Sequence, residues 1–189
     1  MSKIYVTSDT HFDHFNIIRF AGRPFKDLVN MNSHMLDMWI RTVQEEDTIY
    51  FLGDFAFGPD SSDDRIAQYL SLLSGNVKFL IGNHDEPRFG KGVEQIIKDY
   101  KFDIEVIPAK TQITVEGQVF QLSHYGIKTH EKEKDIIYLN GHYHSQFKFT
   151  KMHDSIQGRK YDIGIDMYGG PVQITGDCRY LSKPKGWRQ

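Results

Sequence analysis

Short apolar runs alternate with amphipathic stretches in the first half of the chain and follow one another in the second half. Between Ser62 and Ser74, Ile66, Tyr69, Leu70 and Leu73 fall on one face at helical spacing. Asp63 and Asp64 suit a first helical turn and Gly75 suits a stop, so the pattern predicts a helix that covers a sheet. A second helix is predicted from about Ser33 to Gln44, with Met35, Met38, Trp39 and Val43 inward and His34 on the outer side. Strand-like runs are Ile4 to Val6, Ile49 to Leu52, Val77 to Ile81, Ile104 to Ile107, Thr111 to Val115, Val119 to Leu122 and Ile136 to Leu139. Glu116 and Gly117 are placed to turn two of these into a hairpin. The order predicts an α/β fold, with a mixed sheet or two packed sheets flanked by helices. Arg179 to Gln189 carries four positive charges with Pro184 and Gly186, and reads as a surface tail on a single domain spanning 1–189.

Composition narrows the setting. The 189 residues hold 23 Lys plus Arg against 25 Asp plus Glu, a formal charge of −2, and 39% are hydrophobic. A chain of this size buries roughly 70% of its unfolded surface, enough for a core without disulfide staples. The single cysteine, Cys178, has no internal partner, and no charged-then-apolar leader precedes Ile4, so a reducing, cytoplasmic setting is expected. The apolar runs fall far short of the roughly 20 residues a bilayer requires, so no membrane partner is expected. A charge near zero supplies no field for nucleic acid.

The residues directly after the apolar runs carry the chemistry. Asp9 and His11 come after the first, Gly53 and Asp54 after the second, and Gly82, Asn83, His84 and Asp85 after the third. Ser123 and His124 come after the sixth, and Gly141, His142 and His144 after the seventh. Functional groups gather at the carboxyl ends of strands in sheets with helical crossovers, because the loops there open into a crevice. Asp9 and His11, like His142 and His144, are two apart, so extended backbone would send each pair of side chains the same way. Each motif alone is weak: Asp-x-His is commonly a strand-end turn, and Asn-His-Asp favours turns. The ordered set after five strands is not easily dismissed. Asp9, His11, Asp54, Asn83, His124, His142 and His144 exceed the four to six donors one transition ion takes, whereas two ions sharing a carboxylate would use them all. Imidazole with carboxylate suits manganese, iron, zinc, cobalt or nickel better than calcium, and the donors alone do not choose among those metals.

These motifs resemble those of the calcineurin-like metallophosphoesterase superfamily. The match runs from Ser8, Asp9, Thr10, His11 to the stretch Tyr161, Asp162, Ile163, Gly164, Ile165, Asp166, then Pro171 and Val172, which is similar to small bacterial and phage members. The resemblance implies a four-layer αββα sandwich, two mixed β-sheets between helices, with a dinuclear site. It assigns Asp9, His11, Asp54 and His144 to one ion, and Asp54, Asn83, His124 and His142 to the other. Asp54 is then the bridge, His84 a phosphate-facing general acid or charge stabiliser, and Asp85 its orienting partner. The run Phe55, Ala56, Phe57, Gly58 after Asp54 departs from the Asp-Arg-Gly ending of phosphoprotein phosphatases, which argues against protein substrates. Leu122, Ser123, His124 stands in place of a Gly-His pair. Between the first two motifs, His14, Asn16, Arg19 and Arg23 are candidate substrate contacts, with Arg23 preferred as phosphate clamp because guanidinium matches phosphate oxygens in pairs.

The expected activity is metal-dependent phosphoester hydrolysis by a hydroxide bridging two divalent ions, with a phosphorylated small molecule as substrate and small phosphodiesters or nucleotides favoured. Two other readings remain open: a non-catalytic scaffold of the same fold, and a nuclease using the same centre.

Overall fold

The computed structural model describes residues 2–88, 90–126, 135–144, 160–177, 181 and 187. In chain order the elements are β1 (Ile4–Thr7), α1 (Phe15–Phe20), α2 (Leu28–Thr42), β2 (Thr48–Phe51), α3 (Asp63–Ser71), β3 (Asn76–Leu80) and α4 (Val93–Asp99). They continue with β4 (Ile104–Ile107), β5 (Lys110–Val115), β6 (Gln118–Ser123), β7 (Ile136–Asn140), β8 (Lys160–Asp162), α5 (Ile165–Tyr168) and β9 (Val172–Gln173).

Two mixed sheets result. The first has the order β4-β3-β2-β1-β9, with β1 to β4 parallel and β9 antiparallel to β1. The second has the order β5-β6-β7-β8, an antiparallel hairpin continued by two parallel strands. The hairpin turns on Glu116 (φ 48°) and Gly117 (φ 83°), the paired left-handed residues that match strand twist. Alternation along the first sheet sends Tyr5, Ile49, Phe51, Val77 and Phe79 toward Met31, Met35, Trp39, Ile66, Leu70 and Ile96 on the helices. The opposite face, with Val6, Leu52 and Leu80, packs against Phe120, Leu122, Ile137 and Leu139 of the second sheet. Each such side chain contributes about 1.5–3 kcal/mol on burial, so the two cores fix how the sheets stack. Helices flank this double sheet. The crossovers 127–134 and 145–159, between the parallel strands of the second sheet, lie outside the described residues, as does Cys178.

Helix boundaries differ from the sequence pattern for local reasons. α2 begins at Leu28, well before Ser33, because the Asp27 carboxylate accepts from the Asn30 amide at 2.8 Å and caps the first turn, while Asn30 and Asn32 interrupt the apolar stripe. It ends at Thr42, with Val43 already extended. α3 is capped by Ser62, as the sequence suggests, but stops at Ser71, with Leu72 as its C-cap. The expected surface tail also changes at its two described positions. Leu181 is buried in the inter-sheet core, and Trp187 packs on Phe25 and His34 with ring centroids 5.1 and 5.9 Å away. Apolar side chains among the tail's charges find cover, and His34 is half-buried beneath the tryptophan rather than on an outer face.

Parallel strands share a direction, so β1, β2 and β3 open their carboxyl ends along one edge of the first sheet. The ends of β6 and β7 meet them from the second. All five motif-bearing loops therefore come together.

Candidate metal centre

Among the described residues, three groups of donors have ligand atoms within 4.8 Å of one another: Asp9, His11 and His144; His11, Asp54 and His84; Asp54, His124 and His142. His11 and Asp54 each belong to two groups, which makes a chain of overlapping donor sets and not scattered clusters. Asp54 Oδ2 lies 3.5 Å from His11 Nε2 and 3.4 Å from His124 Nε2. Asn83 Oδ1 is 3.0 Å from His124 Nε2, and His144 Nε2 is 4.0 Å from Asp9 Oδ1. All seven side chains expected from the sequence thus line one centre, with His84 beside them.

The backbone achieves this differently from the extended spacing inferred above. Asp9 (φ 60°), His11 (φ 50°), Asp54 (φ 61°), His142 (φ 75°) and His144 (φ 49°) all adopt left-handed conformations. Such φ values are uncommon outside glycine and persist where surrounding structure enforces them, typically at functional sites. β1 has ended at Thr7 and β7 at Asn140, so alternate left-handed residues, not strand pleat, turn both members of each pair inward. The glycines permit the approach: a Cβ on Gly82 would stand 2.6 Å from the Asp54 amide nitrogen, and one on Gly141 would strike Ser8 and the Asp9 carboxylate.

Supporting bonds fix which imidazole nitrogen faces inward. His124 Nδ1 donates to the Leu52 carbonyl at 2.8 Å, and His144 Nδ1 lies 2.9 Å from Asp166 Oδ2. His11 Nδ1 is 3.3 Å from His14 Nδ1, a contact satisfied when one ring donates to the other. With the proton on His11 Nδ1, its Nε2 presents a lone pair, and that atom is buried without a hydrogen-bond partner. A buried orphan nitrogen facing a carboxylate is what a cation would satisfy. The Asp9 carboxylate accepts from the Ser8 hydroxyl and from the His142 amide at 3.0 Å, and Asp54 Oδ1 accepts from the His84 amide at 2.8 Å. The donor set fits divalent ions with a mixed nitrogen and oxygen preference.

Charge balance agrees. Burial pushes the Asp9 carboxyl up to about 7, against the pull of His144 and His124. Burial opposes a charge on His124, but contact with Asp54, the nearby Asp9 charge and the Leu52 carbonyl together raise its pKa to about 9. His11 is held well below its ordinary value by burial and by His144, and burial brings His14 down to about 4. The metal-free centre therefore retains protons on Asp9 and His124 where a bound cation would displace them. Acidification below about 9 adds a proton to His124, and below about 7 one to Asp9, so metal uptake is expected to weaken as the pH falls and to release protons near neutrality. Calorimetry in two buffers of different ionisation enthalpy counts them; uptake without proton release contradicts this.

Two sequence assignments are corrected. Asp85 does not orient His84. Its oxygens accept from the amides of Asp54 and Gly82 on one side and Phe55 on the other, each at 2.8 Å, so it ties the second and third motif loops together. Arg23 is not placed as a phosphate clamp. It is 4% exposed, and its guanidinium is committed to Asp166 and to the carbonyls of Asp9 and Thr10. Of the other candidates, His14 packs on the His11 and His84 rings, whereas Asn16 is exposed on α1 and the Arg19 guanidinium lies 5.5 Å from the Phe20 ring. His84 sits 5.0 Å from the His11 ring and 4.2 Å from Phe57, and its Nδ1 is buried without a hydrogen-bond partner. Asp166, Phe57 and Tyr125 were not singled out as functional by the sequence. Tyr125 covers His124 and His142 at 4.9 and 4.7 Å, and its proximity shows only once β6 and β7 pair.

Comparisons with known proteins bear on family and fold. The sequence is 33% identical over 145 residues to the uncharacterized protein MJ1445 of Methanocaldococcus jannaschii, covering 77% of this chain and 71% of that one. It is 23% identical to the gene 66 protein of Mycobacterium phage L5, with 89% of each chain covered. Among solved structures, the protein of unknown function AQ665 from Aquifex aeolicus shares the fold with a TM-score of 0.70 at 24% identity, covering 92% of this chain and 96% of that one. Among the described residues, no helix is long and apolar enough to cross a membrane. The family model for calcineurin-like phosphoesterases matches residues 2–174, so the chain belongs to the calcineurin-like phosphoesterase family, whose chemistry is metal-dependent hydrolysis of phosphoesters.

Proposed function

We propose that the protein is a hydrolase of small phosphodiesters or nucleotides that works through two divalent ions, manganese first among them. The observation that carries this reading is the overlap of the three donor groups through His11 and Asp54. Asp9, His11, Asp54 and His144 would hold one ion, and Asp54, Asn83, His124 and His142 the other. Bound there, the ions would polarise the phosphoryl oxygens and make a coordinated water acidic near neutral pH.

The chain's own residues supply the rest. The His84 ring sits beside His11 and Asp54, where a donor can face the oxygen that departs from phosphorus. Burial lowers its pKa, with Asp54 opposing, and an N–H of the ring can donate toward that oxygen. Phe57 packs edge-on against that ring, and Tyr125 packs against His124 and His142. Arg88 replaces Arg23 as the phosphate-facing cation in this reading. Its side chain is exposed, its guanidinium lies 5.4 Å from the Phe57 ring, and its charge acts on His84.

A manganese-supplemented assay comparing bis-p-nitrophenyl phosphate with p-nitrophenyl phosphate tests the reading. Faster turnover of the diester is expected. Metal-replete protein inactive on both, and on a broad panel of phosphoesters, would favour a scaffold. Salt-sensitive binding and cleavage of DNA or RNA would favour a nuclease.

A further inference from the structure

Arg23 and Asp166 form a buried ion pair whose side chains are almost wholly withdrawn from water, and the pair reaches two candidate ligands. Arg23 Nε donates to Asp166 Oδ1 at 2.8 Å and Nη2 to Oδ2 at 3.1 Å. The same Nη2 donates to the Asp9 carbonyl at 2.6 Å, and Nη1 to the Thr10 carbonyl at 2.8 Å. Asp166 Oδ2 also faces His144 Nδ1 at 2.9 Å. A buried ion pair is a weak source of stability, since apolar residues of similar volume commonly serve as well. Here, however, one carboxylate oxygen is shared with an imidazole and the guanidinium grips the loop that presents Asp9 and His11 in left-handed conformations. An acceptor at Nδ1 keeps the proton there and turns Nε2 toward Asp9 with its lone pair available.

We infer that Arg23 and Asp166 are a positioning pair for the metal position built on Asp9, His11 and His144, and for that position alone. The other position has its own support, because His124 Nδ1 donates to the Leu52 carbonyl and, among the described residues, neither Arg23 nor Asp166 bonds to Asn83, His124 or His142. The inference rests on the dinuclear reading proposed above. It also explains why a basic residue early in the chain is sequestered from solvent: its partners are 13, 14 and 143 residues away, and through Asp166 and His144 the pair joins the loops after β1 and β7 to α5.

The test uses the full-length protein, its Asp166→Asn variant and the double variant Arg23→Met/Asp166→Leu, which removes both charges and leaves neither unpaired. Mn²⁺ titration, with free ion followed by electron paramagnetic resonance, reads both positions. In each variant one position is expected to weaken roughly 10- to 100-fold, the usual cost of losing a ligand's supporting contact, while the other keeps its wild-type affinity. Ring ¹H–¹⁵N correlation of the metal-free protein provides a readout that needs no metal: His144 is expected as the Nδ1–H tautomer in wild type and as a mixture in the variants. Equal weakening of both positions, or wild-type affinities with an unchanged His144 tautomer, would overturn the inference and leave a structural ion pair. If the double variant does not fold, Asp166→Asn, which keeps shape and size, gives the same two readouts. A wild-type protein that takes up no Mn²⁺ would instead defeat the dinuclear reading, and the tautomer measurement separates that outcome from failure of the positioning role.

Discussion

Replacing Asp54 by Asn is expected to weaken both metal positions together and to bring phosphoesterase turnover to background. Asn is the informative substitution, because position 54 has φ 61° and Asn tolerates the left-handed region, whereas Ala there adds about 1–2 kcal/mol of backbone strain. The variant keeps an oxygen to accept from the His84 amide, so loop geometry is preserved while the charge facing His11 Nε2 and His124 Nε2 is lost. Loss of a shared anionic donor should exceed the roughly 10- to 100-fold penalty of losing a supporting contact, and should fall on both ions alike. Elemental analysis after gel filtration, with circular dichroism to confirm the fold, measures it. Loss of one ion with full retention of the other would show that Asp54 is not shared.

His84→Ala has the opposite signature. The contact that anchors Asp54 is made by the His84 backbone amide, which the substitution retains, so both ions should remain bound. The side chain, with its buried and unpartnered Nδ1, is the part the proposed function aims at substrate. Turnover should fall by roughly 10²- to 10⁴-fold, the scale for a positioned proton donor, with metal content unchanged. Steady-state kinetics on the better p-nitrophenyl substrate, alongside metal analysis, separates the two effects. Wild-type turnover with both ions bound would remove the role assigned to His84.

Much of the centre was legible in the sequence because its donors sit immediately after short apolar runs, and parallel strands bring such endings to one edge. The Asp54, Asn83 and His124 loops obey that rule directly. The conformation that aims the side chains was not legible: two-residue spacing suggests extended backbone, yet Asp9, His11, His142 and His144 converge through left-handed residues that composition does not mark. In sequence Arg23 reads as a phosphate clamp because guanidinium matches phosphate oxygens, yet its true partner lies 143 positions away. Asp85 stands next to His84 in the chain but spends its oxygens on backbone amides, a use that adjacency conceals. The same holds for the helices. The α3 stripe and its Ser62 cap were readable locally, whereas the opening of α2 depends on Asp27 capping a turn whose apolar run Asn30 interrupts.

Crystals of the full-length protein equilibrated with Mn²⁺ and measured by anomalous diffraction test the central claim most directly. The account requires two anomalous peaks on either side of the Asp54 carboxylate, one among Asp9, His11 and His144 and one among Asn83, His124 and His142. A single peak, or peaks only at exposed carboxylates away from these residues, would contradict it.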